Sequence, residues 1–198
     1  LRIYVLITSV SPLRIFIYEE GIARFATESY TSPERSNFQK LNQHLTNYAI
    51  NKKAENFKFD KENNIDGGGH KRSMSSIFSL IKERGGDVNK LWRTIKQSVV
   101  KTICSVQPIL NHIYQTSQPE DLTGRMCFEI LGFDIILTES LEPIILEVNH
   151  GPSLNTDTPF DNRIKSAMPQ NSFEIIGNDI ENRHRIMDEQ KEKHEKRI

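Results

Sequence analysis

The spacing of apolar residues changes along this chain, and each spacing predicts a different element. From Arg2 to Ser9 the run RIYVLITS is rich in β-branched and aromatic residues, which predicts a strand. Ser11-Pro12-Leu13 is a turn signal, Leu13 to Tyr18 returns as a second strand, and Glu19-Glu20-Gly21 turns again into a third short strand over Ile22 to Ala26. Strands joined this closely form an antiparallel meander. Arg2 and Arg24 interrupt it and are read, from their type alone, as belonging to its solvated face.

Thr31 to Gly69 has little periodicity and many polar side chains, and ends in Gly67-Gly68-Gly69, the composition of a surface loop or lid. Inside it lies HLTNYAINK, His44 to Lys52, whose hydroxyl and amide groups suit phosphate oxygens or a small zwitterion and equally suit local capping and turning. The spacing then becomes helical. Ser73 or Ser75 caps a helix carrying Ile77, Phe78, Leu80 and Ile81, which Gly85-Gly86 ends. A longer helix begins at Asp87 with Leu91, Ile95, Val99, Ile103 and Val106 on one stripe and Trp92 beside it. Pro108 kinks or interrupts this helix, and Leu110 and Ile113 extend it. Both helices read as structural.

The strand pattern resumes in MCFEILGFDIILTESLEPIILEVNHGPS. Two apolar strands, Cys127 to Leu137 and Pro143 to Asn149, flank Thr138 to Glu142 and predict a hairpin. With Ser140 and Leu141 in the loop, Glu139 pairs with Glu142, Ile136 with Ile145 and Asp134 with Glu147. Alternation sends Asn149 to the same face as Glu147. Two opposed carboxylates repel by about 4 kcal/mol at ~4 Å for an effective dielectric near 20, so a positive partner belongs between them. Two acidic oxygens and an amide oxygen are hard ligands that suit Mg²⁺ completed by phosphates and water. Asp134, Glu147 and Asn149 are therefore the candidate metal ligands.

Charge and composition narrow the partners. The chain has 198 residues with 26 Lys+Arg against 26 Asp+Glu, so it has no net field to draw it to nucleic acid or a membrane. No apolar run is long enough to span a bilayer. Cys104 and Cys127 each lie in an apolar segment, which favours a reduced compartment. The opening, LRIYVLITS, starts directly in a strand without Met, and is read as the middle of a domain.

The hairpin FEILGFDIILTESLEPIILEVNHGPS, together with HLTNYAIN, GIARFATESY and LRIYVLITS, is similar to the tubulin tyrosine ligase-like family and especially to its polyglutamylases. The resemblance implies an α+β chain: the C-terminal portion of an ATP-grasp fold over 1–160, with an antiparallel sheet flanked by helices, and a helical extension over 161–198. It implies ATP and Mg²⁺ as cofactors, with Asp134, Glu147 and Asn149 on the metal and Thr46 and Asn47 at the nucleotide. Arg24 and Tyr48 fall where the family holds the incoming amino acid, with Ser75 and His150 as further members of that pocket. Arg24 and Glu147 are the expected catalytic residues.

The implied reaction ligates free L-glutamate to glutamate side chains in tubulin's acidic C-terminal tails. The His that follows Asn149 resembles the chain-elongating members. The implied surroundings are the cytoplasm and cytoskeleton, including microtubules and the cilium or basal body. The family's nucleotide-binding lysines lie upstream of the position of Leu1, so the activity is expected of the full-length protein. A catalytically silent microtubule-binding relative, and an ATP-grasp ligase with another protein acceptor, remain open alternatives.

Lys71 and Arg72 read as solvated, or as neutralising an acidic tail. Beyond Asp161, Ile164, Ala167, Met168, Phe173 and Ile176 form an apolar helical face. Asn182 to Ile198 mixes both signs of charge and reads as an exposed helix laced with i,i+4 pairs, or as a microtubule contact.

Overall fold

The computed structural model describes residues 1–58, 69–121, 123–156, 158–181 and 183–196. Gly67, Gly68, Asn182 and Ile198 of the sequence reading lie outside them. The elements run β1 (Arg2–Val10), β2 (Leu13–Arg24), α1 (Leu41–His44), α2 (Tyr48–Asn51), β3 (Lys71–Ser73), α3 (Met74–Glu83), α4 (Val88–Ser117), β4 (Glu129–Leu137), β5 (Pro143–His150), α5 (Pro159–Glu181) and α6 (Arg183–Glu195). The strands make one five-stranded sheet in the order β3-β2-β1-β4-β5, and every neighbouring pair is antiparallel. This is the expected α+β chain with an antiparallel sheet flanked by helices.

The central strand explains the layering. β1 is apolar on both sides because both sides are covered. Ile3, Val5 and Ile7 join Phe133 and Ile135 of β4 and pack under Met74 of α3 and Leu91, Ile95, Val99 and Ile103 of α4. On the other face, Tyr4 and Ile22 pack against Phe160, Ile164 and Met168 of α5. The predicted stripe on α4 is correct through Ile103, but Val106 is exposed, and the helix continues unbroken through Pro108 to Ser117. On α5, Ile164 and Met168 are buried, whereas Phe173 is exposed and meets Phe128 edge-on. Ser73, not Ser75, caps α3, its side chain accepting from the Ser76 N–H, and Asp87 caps α4 by accepting from the Lys90 N–H.

Two expected strands are one. Leu13–Tyr18 and Ile22–Ala26 fuse into β2, which passes straight through Glu19-Glu20-Gly21, with a register irregularity opposite Ile3 to Val5. A Cβ at Gly21 would lie 2.5 Å from the Arg2 carbonyl oxygen, so glycine here permits a close strand approach and no turn. No helix among the described residues is long and apolar enough to cross a membrane. Cys104 and Cys127 are both free and exposed.

Candidate functional site

The end of the sheet where β1 begins and β2 finishes opens into a cleft of about 440 Å³, lined by Arg24, Thr46, Asn47, Asp134 and Glu147 among others. Five side chains singled out from the sequence thus share one cavity, although they are drawn from β2, the loop before α2, β4 and β5.

The hairpin supplies the acidic wall. Asp134 pairs with Glu147 as predicted, and Asn149 pairs with Gly132 one pleat farther on. The route to that register differs from the expected one. Ile136 faces Ile144, not Ile145, because the loop is longer: Thr138 accepts from Leu141 N–H and donates to the Glu142 carbonyl, with Leu141 at φ 62°. A register shift between Asp134 and Ile135 restores the offset. The Asn149 amide donates to the Glu147 carboxylate at 3.0 Å.

The positive partner that opposed carboxylates require is present in the chain itself. Arg2 lies opposite Asp134 across β1 and β4 and grips it with two hydrogen bonds, Nε to Oδ1 at 2.6 Å and Nη2 to Oδ2 at 2.8 Å. Arg2 is therefore an ion-pair partner with little exposure, not a solvated charge. Gly132 makes room for it, since a Cβ there would come within 3.2 Å of the Arg2 side chain. Burial alone would raise the Asp134 carboxyl, but the Arg2 hydrogen bonds and charge, with smaller contributions from Glu147 and Arg24, outweigh it and hold the carboxyl below its ordinary range.

The donor set fits a hard divalent cation. Each Asp134 oxygen keeps a lone pair beside its bond to Arg2, while Glu147 is exposed and forms no ion pair among the described residues. Among the described residues no group of three or more His, Cys, Asp or Glu could hold a metal. Two carboxylates and an amide oxygen leave most of a shell to water and phosphate oxygens, as Mg²⁺ prefers.

Arg24 forms no ion pair among the described residues, and it faces the cleft partly buried. A guanidinium so placed is a receptor for a planar anion such as a carboxylate. Tyr48 stands next to it in a smaller adjoining pocket shared with Thr46, Phe57, His70 and Lys71.

Lys71 and Asp161 were not picked out as a pair from the sequence. The Lys71 ammonium lies 2.5 Å from Oδ1 of buried Asp161 at the start of α5 and 5.1 Å over the Tyr48 ring. It is thus a partly buried ion-pair partner, not a solvated charge. Asp161 also takes bonds from the Thr158 hydroxyl at 2.9 Å and lies 3.3 Å from Lys165. Burial tends to raise the Asp161 carboxyl, yet Lys71 and Thr158 outweigh it and depress it. Lys71 is shifted down as well, because burial, joined by the nearby charges of Lys165 and Arg24, outweighs the support of Asp161.

Ser75 and His150 are not brought into the cleft. Ser75 is exposed and its hydroxyl donates to Glu20 at 2.6 Å. His150 is exposed and, by alternation, belongs to the face opposite Glu147 and Asn149.

A carboxyl depressed in the fold stabilises it above its ordinary pKa of about 3.9 and loses that contribution as pH falls through the lowered folded value. Asp134 and Asp161 both have this sign. The urea midpoint of the full-length protein should be level from neutrality to about pH 5 and fall below about pH 4. The fall should be smaller in Asp161→Asn; an equal fall would show that the Lys71 pair contributes nothing in acid.

The model of the tubulin-tyrosine ligase family matches residues 1–185. The chain belongs to that family. It is 48% identical over its whole length to a probable β-tubulin polyglutamylase of Tetrahymena thermophila. It is 43% identical, again over its whole length, to tubulin polyglutamylase ttll6 of Danio rerio and to tubulin polyglutamylase TTLL13 of Mus musculus. The chain spans 16% of the first relative, 25% of the second and 24% of the third.

Proposed function

We propose that the full-length protein is an ATP-dependent tubulin polyglutamylase, a carboxylate-amine ligase with an ATP-grasp catalytic domain whose C-terminal portion is 1–160. The observation that carries this reading is the cleft at the end of the sheet, where a guanidinium with no ion pair among the described residues, a polar loop and opposed carboxylates share about 440 Å³. Relatives whose names say polyglutamylase, at 43–48% identity over the whole chain, support glutamate as the donor.

In this reading the side-chain carboxylate of an acceptor glutamate in a tubulin tail attacks the γ-phosphorus of ATP, the bond to the β-phosphate oxygen breaks, ADP leaves, and an acyl phosphate results. The α-amino nitrogen of free L-glutamate then attacks that carbonyl. The new amide C–N bond forms, the C–O bond to phosphate breaks, and the nitrogen loses a proton. Asp134, Glu147 and Asn149 would hold Mg²⁺, which neutralises phosphate charge when bound. Thr46 and Asn47 hydrogen-bond the nucleotide. Arg24 and Tyr48 orient the incoming glutamate, so positioning and electrostatics lower the barrier with no covalent intermediate on the protein. Ser75 and His150 remain in the proposal only as residues outside the cleft. The segment 161–198 contacts the microtubule, and its exposed Glu192–Lys196 pair at 3.5 Å fits a solvated surface. Cytoplasmic microtubules, including those of the cilium or basal body, are the corresponding location.

Full-length protein incubated with ATP, Mg²⁺, labelled glutamate and microtubules should place label on tubulin tails. Microtubule binding without label would favour a silent relative, and label only on other proteins a ligase with a different acceptor.

A further inference from the structure

One buried side chain in this region has no role in the chemistry just described. Asn51, at the end of α2, is 1% exposed and is the buried residue of that short helix. Its amide nitrogen donates to the Leu45 carbonyl at 2.7 Å and to the Asn47 carbonyl at 3.1 Å, the two carbonyls that flank Thr46. Its amide oxygen accepts from the Thr27 N–H at 3.0 Å, just past Arg24 at the end of β2. Both donors and the acceptor are therefore used, and only this orientation of the amide gives every group a complementary partner.

The consequence is geometric. Arg24 and Phe25 form one side of the cleft and Thr46 and Asn47 another, and Asn51 bonds both to Thr27, two residues beyond Phe25, and to the Leu45 and Asn47 carbonyls around Thr46. No other side chain supplies this pattern at this length. Aspartate would turn two donors into acceptors facing carbonyl oxygens, and alanine would take from the Leu45 carbonyl and the Thr27 N–H their Asn51 partner, while the Asn47 carbonyl keeps its bonds from the Ile50 and Asn51 N–H groups.

We infer that Asn51 is a positioning residue that sets the distance between the Arg24 side of the cleft and the Thr46–Asn47 loop, and so governs affinity for both nucleotide and amino acid. This rests on the ligase reading above, in which Thr46 and Asn47 meet ATP and Arg24 meets glutamate. A positioning residue of this kind is dispensable for folding of the sheet, because both cores lie on other elements.

The test is steady-state ligation by the full-length protein, varying ATP and glutamate separately, for wild type, Asn51→Asp, Asn51→Ala and Asn51→Ser. The expected result is a rise of tenfold or more in KM for both substrates in the aspartate and alanine variants, a smaller rise in the serine variant, and kcat within about threefold. Loss of folded protein alone would lower kcat and leave KM where it was, so KM within twofold of wild type in all three variants overturns the inference. Should Asn51→Asp fail to fold, the serine and alanine variants carry the same measurement. Failure of wild type to ligate glutamate would overturn the functional reading, whereas ligation with unchanged KM in the variants would overturn this inference alone.

Discussion

Glutamine in place of Glu147 is expected to slow ATP-dependent ligation by the full-length protein by roughly 10²–10³-fold, about 3–4 kcal/mol of transition-state stabilisation. The size follows from removing one of only two carboxylates on the acidic wall, where charge develops on transferring phosphoryl oxygens. Glu147 is also the carboxylate whose loss is cleanest to interpret. It is exposed on edge strand β5, and its bonding partners there are neighbouring polar groups, not a buried cation. The thermal midpoint should therefore move little. Asp134→Asn would be less informative, because it also strips Arg2 of its partner, and leaving a buried charge unpaired costs about 3–5 kcal/mol, less at this partial exposure. The diagnostic readout is a Mg²⁺ titration of the rate, in which Glu147→Gln should require a higher concentration for half-maximal activity. An unchanged rate with unchanged Mg²⁺ dependence would remove the acidic wall from the mechanism.

What was legible in the sequence was whatever depends on local period. The hairpin register at Asp134 and Glu147 follows from alternation along two strands with a short loop between them, and the loop's extra length was compensated by the bulge beside Leu146. The helix stripes from Leu91 to Ile103 are legible for the same reason. What was not legible is whatever depends on elements meeting from far along the chain. Arg2 and Asp134 are separated by 132 positions and Lys71 and Asp161 by 90, and no spacing rule connects them. One signal was available: a charge within a strand apolar on both faces must find a partner, which points to Arg2 and Asp134 together. Gly21 misled in the opposite direction, since glycine after two glutamates reads as a turn until β1 is seen to press against it.

Arg24 gives the second large effect, and it is expected in the amino acid's KM. Arg24→Ala should raise KM for glutamate by roughly 10²-fold, about 2–3 kcal/mol, the worth of charge-assisted hydrogen bonds to one carboxylate. Arg24→Lys should recover only part of this, because a lysine ammonium keeps the charge but not the planar fork that meets two oxygens at once. KM for ATP should change much less, since Thr46 and Asn47 remain in place. Stability should barely change, because Arg24 has no ion pair among the described residues to lose, and its removal relieves its repulsion of the charge on Lys71. This separates Arg24 from Arg2, whose replacement should lower stability before any kinetic effect is measured. If alanine at Arg24 raised KM for ATP and glutamate equally, the guanidinium would be serving the nucleotide phosphates, and the incoming carboxylate would have to be received elsewhere, with Lys71 beside Tyr48 as the nearest cation in the adjoining pocket.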